Sequence, residues 1–213
     1  MTGLSGIQDI LVGLSFVIFP ILFVIGFAVH PNLLRPRLVR NVDDLVARVR
    51  HNSQLQMGHL LVLASTPLLI VVALRCMALS THGPLAWLGL IGEVSALCGT
   101  VILAADKGAL ALVISAFDTL PDDKFAQLKP GLEAIQAKAG WLGVLRALAL
   151  LPIGFALLSI AMLSAGAIPP WQAITMLLGT LLLAAPDGFE IISLLASVLL
   201  AVALIPLGLQ LLL

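Results

Sequence analysis

Long, nearly uncharged apolar runs constrain this chain more than any motif in it. The run from Phe189 to Leu213 carries a single charged residue, Glu190. A hydrocarbon core about 30 Å thick is crossed by roughly 20 such residues in helical form. Lipid offers the backbone no hydrogen bonds, so a crossing segment must be a helix or a strand of a closed barrel, and long runs without alternation mean helix. Composition agrees. Apolar residues make up 61% of the 213 positions and charged ones 10%, whereas a soluble domain carries roughly 25% charge. The mean hydropathy is +1.15.

The chain is therefore expected to be all-α: one polytopic transmembrane bundle over residues 1–213, with six spanning helices at about 7–29, 59–79, 85–105, 141–165, 168–185 and 189–213. The first run is read as a retained span, because no Lys or Arg precedes it and no small-residue cleavage site follows. Eleven basic and eleven acidic residues give zero net charge, so no global field points to nucleic acid. Cys76 and Cys98 are too few for a disulfide framework.

Orientation follows from the cations. Arg35, Arg37, Arg40, Arg48 and Arg50 follow the first span and Lys124, Lys129 and Lys138 the third; both segments fall on one side of a six-span map. The basic loops are placed in the cytoplasm and both termini outside, in a bacterial inner membrane. Trp87, Trp141 and Trp171 fall near span ends, as interfacial aromatics do.

The basic segments carry amphipathic helices. Asn41 is an N-cap followed by Asp43 and Asp44, and Val42, Leu45, Val46 and Val49 recur at helical spacing. This helix is expected to run unbroken into the second span and to bend at Pro67, with Thr66 or Ser65 satisfying the freed carbonyl. Asp44 and Arg48, four apart, form a local pair. A second stripe, Phe125, Leu128, Leu132 and Ile135, either lies on the lipid surface or packs on the first; diluted cations favour packing. Together they predict a small cytoplasmic helical layer, covering the apolar continuation after Lys107. The rival is a break at Gly108 that returns this segment to the interface.

Charges inside the spans are candidate sites by default. Placing Asp106 and Lys107 at the inner interface puts Glu93 within the outer half, on a face with Gly89, Ala96 and Thr100. Its first candidate partner is Arg75; the other possibility is a protonated carboxyl. A second set lies at the inner end. Asn52, Gln56, His59 and Thr66 follow one helical line, which Asp106, Lys107 and Arg146 are placed to meet. Asp187 and Glu190 are spaced as an acidic N-cap and its Glu three residues on, which explains them by capping. Where the helices converge, these groups form a polar pocket open to the cytoplasm. The ligand or proton-site candidates are thus Glu93, Arg75, Thr100, Asp106, Lys107, Arg146 and His59.

His30 and His59 share a depth, and His51 lies two turns before His59. They are the candidate ligands of a metal, or, for His30 and His59, of haem b; no cofactor is predicted otherwise. No phosphate loop, nucleophile elbow or HExxH is present, which leans away from an enzyme. The expected role is small-solute binding or transport, or service as an accessory subunit of a membrane complex. The rivals are a haem- or quinone-binding oxidoreductase using His30 and His59, and a ligand-free assembly factor. The partners implied are the lipid bilayer and a membrane-protein partner or a second copy.

Overall fold

The computed structural model describes residues 4–30, 33–34, 41–138, 146–185 and 188–213, and every element among them is helical. The helices are α1 (Leu4–Ala28), α2 (Val42–Val49), α3 (Ser53–Ser80), α4 (Ala86–Gly108), α5 (Asp122–Ala137), α6 (Leu150–Ser164), α7 (Pro170–Leu183) and α8 (Glu190–Leu212). Stretches within α1, α3 and α8, and the continuous helical run Ala86–Thr119, are long and apolar enough to cross a membrane. With 15 and 14 residues, α6 and α7 are shorter than a full crossing. Part of the expected fourth span, with Trp141 and Gly143, lies outside the described residues.

Six helices close a ring in the order α1, α3, α4, α6, α7, α8, with α8 returning against α1 and α3 also touching α6 across the middle. Apolar association has no driving force in lipid, so close packing must hold such a ring together. Glycines supply it. A methyl group added at Gly58 would stand 2.5 Å from Gly26 O, one at Gly208 2.7 Å from Gly13 O, and one at Gly154 2.6 Å from Gly92 O. These contacts pair α1 with α3, α1 with α8 and α4 with α6 in antiparallel fashion. The α3–α4 turn at Gly83 lies against Ala165 in the α6–α7 turn. One end of the bundle therefore gathers the start of α1, both tight turns and the end of α8, while α2 lies at the other, against Glu190 at the start of α8.

Phe16, Phe19, Phe23, Leu69, Leu158, Met176 and Leu204 fill the interior, all essentially inaccessible. The outside is apolar too: Ile25, Leu74, Val101, Leu178, Leu181 and Val202 are all exposed. Apolar residues both inside and out are what a bundle solvated by lipid requires. Buried hydroxyls bond within their own helices, Ser15 to Leu11 O, Ser159 to Phe155 O and Ser197 to Ser193 O. At the proline of α3, Thr66 Oγ1 donates to Leu63 O at 2.8 Å, the carbonyl that Pro67 cannot serve.

Two expectations about the basic end need correction. First, α2 does not run into α3. The chain breaks at residues 50–52, with His51 at φ 56°. Asn52 then caps α3 by accepting from Leu55 N at 3.2 Å. Second, although α4 continues past Gly108 as expected, through a wider π-type turn at Ala109–Ile114 and a 3₁₀ turn at Phe117–Thr119, the amphipathic helices do not fully cover it. The expected cover over this continuation is incomplete, because Leu112 and Val113 are 59% and 56% exposed.

Helices α2 and α5 do pack on each other. Lys129 Nζ lies 2.7 Å from Asp43 Oδ1, and this hydrogen bond is the main cause that raises the exposed ammonium above its ordinary pKa. Phe125 alone of its stripe is buried, under the Arg50 guanidinium 4.2 Å from its ring; Leu128 and Ile135 are exposed.

Candidate functional site

The ends of α1, α3, α4 and α8 on the side of α2 converge, and there several of the chain's charged side chains are buried. Glu190 opens α8. Its N-cap position is Phe189 and no side chain caps the helix, so the capping role expected of Glu190 is replaced by an ionic one. Arg48 Nη2 of α2 meets Glu190 Oε1, and His30 Nε2 lies 3.6 Å from Glu190 Oε2. Arg48 therefore reaches across to another helix, beyond the local pairing with Asp44 that its spacing suggests. Asp187 lies outside the described residues.

His30 extends the cluster. Its Nδ1 lies 2.9 Å from Gly26 O. Because a carbonyl only accepts, Nδ1 carries the hydrogen, and the other ring nitrogen turns toward Glu190. A proton added there converts this contact into an ion pair. The His30 ring stands edge-on to His59 with centroids 5.6 Å apart and stacks on Phe27 at 5.7 Å. His59 is 6% exposed, and among the described residues its Nδ1 has no hydrogen-bond partner. Lys107 Nζ lies 3.0 Å from Asp106 Oδ2, both side chains being largely buried.

Of the residues expected to form the site, the structure thus puts His59 and the Asp106–Lys107 pair at the same end of the antiparallel helices α3 and α4, and sets His30, Arg48 and Glu190 beside His59. The others go elsewhere. Glu93 is half-buried at the edge of the α4 face that packs on α6, and among the described residues no ion pair joins it to Arg75. Among the described residues Arg75 Nε is buried without a hydrogen-bond partner. Thr100 spends its hydroxyl on Ala96 O at 2.7 Å. Arg146 is exposed and makes no ion pair among the described residues. His51 faces away from the histidine pair, its backbone N–H donating to Asp118 Oδ1 at 3.0 Å. Among the described residues no three His, Cys, Asp or Glu side chains converge as metal ligands. Cys76 and Cys98 are both free.

Apart from His59, the members of the helical line from Asn52 to Thr66 are engaged in local bonds or with Asp118. Asn52 caps α3, Thr66 serves Leu63 O, and Gln56 Nε2 donates to Asp118 Oδ2 at 2.6 Å. The cluster is packed rather than open, with His30, His59 and Glu190 each less than a tenth exposed. Deeper in the ring, Phe19, Phe23, Leu69 and Phe155 leave a space of about 10 Å³, room for one water at most. The polar end thus stands above an apolar seal.

No family model, characterised protein or solved structure matches the chain. Its chemistry has to be read from the cluster alone. A carboxylate, a guanidinium, two imidazoles and an acid–base pair at the same end, on four helices and the residue just beyond α1, can hold a proton or a small polar molecule.

Two further members differ in how far the sequence reveals them. Glu190, as the lone charge in its span, carries the signal of an intramembrane ion, which its capping pattern masks. Arg48 carries no comparable signal, because a cation on an amphipathic helix ordinarily faces water.

Proposed function

We propose that this chain crosses the membrane six times and binds and moves a small polar solute through the cluster at its basic, cytoplasmic end. The observation that carries the reading is the convergence of Arg48, Glu190, His30 and His59 in an otherwise apolar bundle. Burying charges costs several kcal/mol per ion after relaxation, and a chain with so few buries these four at the end of the bundle where Asp106 and Lys107 also pair. The cluster offers both an acid and bases. A solute with one acidic and one basic group can then replace internal partners without leaving an uncompensated charge. Six crossings fit the ring order, since α6 and α7 lie between α4 and α8; helices of roughly 22 Å span a bilayer thinned locally around them.

The test is reconstitution in liposomes and measurement of transport currents and radiolabel uptake over a panel of amino acids and other small zwitterions. At least one should be taken up, and Glu190→Gln should abolish its uptake while leaving the folded protein in the membrane. Uptake unaltered in Glu190→Gln would overturn the reading.

A second reading, an accessory subunit of a membrane complex, draws support from the exposed Leu112 and Val113 beyond the bundle. A stoichiometric partner retained in mild detergent would favour it. The haem reading gains less support, because both His30 nitrogens already face partners, Gly26 O and Glu190.

A further inference from the structure

Helix α2 is a self-contained unit. Asn41 caps its start by accepting from Asp44 N at 2.9 Å, and its last turn ends at Arg50, whose N–H donates to Val46 O. Helix α3 is equally independent, its first turn satisfied by Asn52. Between them lie residues 50–52, where His51 takes a left-handed conformation that a non-glycine residue rarely adopts. That conformation is held from outside. Asp118 accepts from His51 N at 3.0 Å and from Gln56 Nε2 at 2.6 Å, while Arg50 donates to Asp122 Oδ1 and to Leu120 O, both at 2.8 Å. These bonds fix a pivot at one end of α2.

The contact of α2 with the buried cluster is of another kind. It includes Arg48 on Glu190, while α2 fully buries Val42 and Val49 and half-buries Leu45 and Val46. For a buried ion pair the desolvation penalty is comparable to the attraction. Parting the two ions and returning both to water is therefore nearly balanced, unlike the opening of an apolar contact of similar size. The tie from Asp43 to Lys129 is exposed and runs to α5, not to the bundle.

We propose that α2 is a strap over the inner end of the bundle, pivoting at residues 50–52 and latched where Arg48 meets Glu190, and that its release admits the solute to the His30–His59 pair. The proposal deepens the reading of the same site, but its test uses no solute, so the two fail separately. In the closed state Arg48 neutralises the carboxylate and fills the approach to it. In the open state the carboxylate and His30 face water. A solute carrying a cationic group competes with Arg48 for the same oxygen, which couples occupancy to strap position.

The experiment is pulsed electron paramagnetic resonance on the full chain in liposomes, with nitroxides on Ala47→Cys in α2 and Leu178→Cys in α7, both exposed positions, in a Cys76→Ala, Cys98→Ala background. The parent should give one dominant distance. Glu190→Gln and Arg48→Ala should each raise a second, separate population severalfold, and the charge-exchanged pair Arg48→Glu, Glu190→Arg should restore the first. Should Glu190→Gln fail to fold, Arg48→Ala, which lies outside the spans, decides alone. A folded Arg48→Ala variant with the parent's distance distribution would overturn the proposal.

Discussion

Replacing Gly154 by alanine should weaken the protein, while the same replacement at Gly108 should strengthen it. The contrast comes from what a methyl group would meet. At Gly154 it would lie 2.6 Å from Gly92 O and 2.7 Å from Ala96 Cα, both backbone atoms of α4 that no rotamer change can move. Reaching the 3.4 Å of ordinary contact from 2.6 Å requires α6 to retreat by at least about 0.8 Å, because Ala96 N stands closer still. A gap of that size forfeits a quarter to a half of the dispersion attraction along the seam, and overpacking of this kind costs about 1–3 kcal/mol. Alanine's helical preference returns about 0.5–1 kcal/mol, leaving a net loss of about 1–2 kcal/mol. At Gly108 nothing lies within 4 Å of the added group, so only the gain of about 0.5–1 kcal/mol remains. Reversible unfolding in mixed micelles, followed by far-ultraviolet circular dichroism, measures both against the parent. Equal stability of the two variants would refute the backbone-contact account of the ring.

Three further outcomes are expected. Gln172 is 1% exposed, donates to Ala203 O at 3.4 Å and leaves Oε1 without a partner; Gln172→Met, which removes the unsatisfied oxygen at similar volume, should unfold within about 1 kcal/mol of the parent or above it. Asn52→Ala removes the cap of α3 and should cost about 1 kcal/mol, readable as faster amide exchange at Gln54 and Leu55. Asp43 raises the Lys129 pKa, so the contribution of this pair to α2–α5 docking is complete below the unfolded value of 10.5 and is lost as pH rises through the higher folded value. Docking followed by fluorescence transfer between labels on the two helices should therefore not respond to this pair near neutral pH; a titration there that vanishes in Lys129→Met would contradict the assignment.

Much of the scaffold is legible in the sequence because lipid leaves a chain few choices. Apolar runs declare helices, and the demand that every carbonyl be served makes Thr66 the answer to Pro67. Where a local rule competes with a distant contact, the local rule misleads. Residues 50–52 have ordinary helical propensities, and the break there is held by Asp118, sixty-seven positions after His51. Glu190 satisfies a capping pattern, yet its partner lies on α2. Pairing Glu93 with Arg75 rests on depth alone, but an ion pair also needs the right azimuth around each helix. The lengths of α6 and α7 depend on where the ring closes.

Whether two buried opposite charges, acting on each other, close the basic end of the bundle is decided by a double-mutant cycle on Arg48→Ala and Glu190→Ala. Independent sites add within about 0.3–0.5 kcal/mol, whereas contacting residues show coupling of about 0.5–3 kcal/mol. The account predicts a coupling of about 1 kcal/mol or more in unfolding free energy, lost when the partner is already absent. Strict additivity of the two single variants would contradict it.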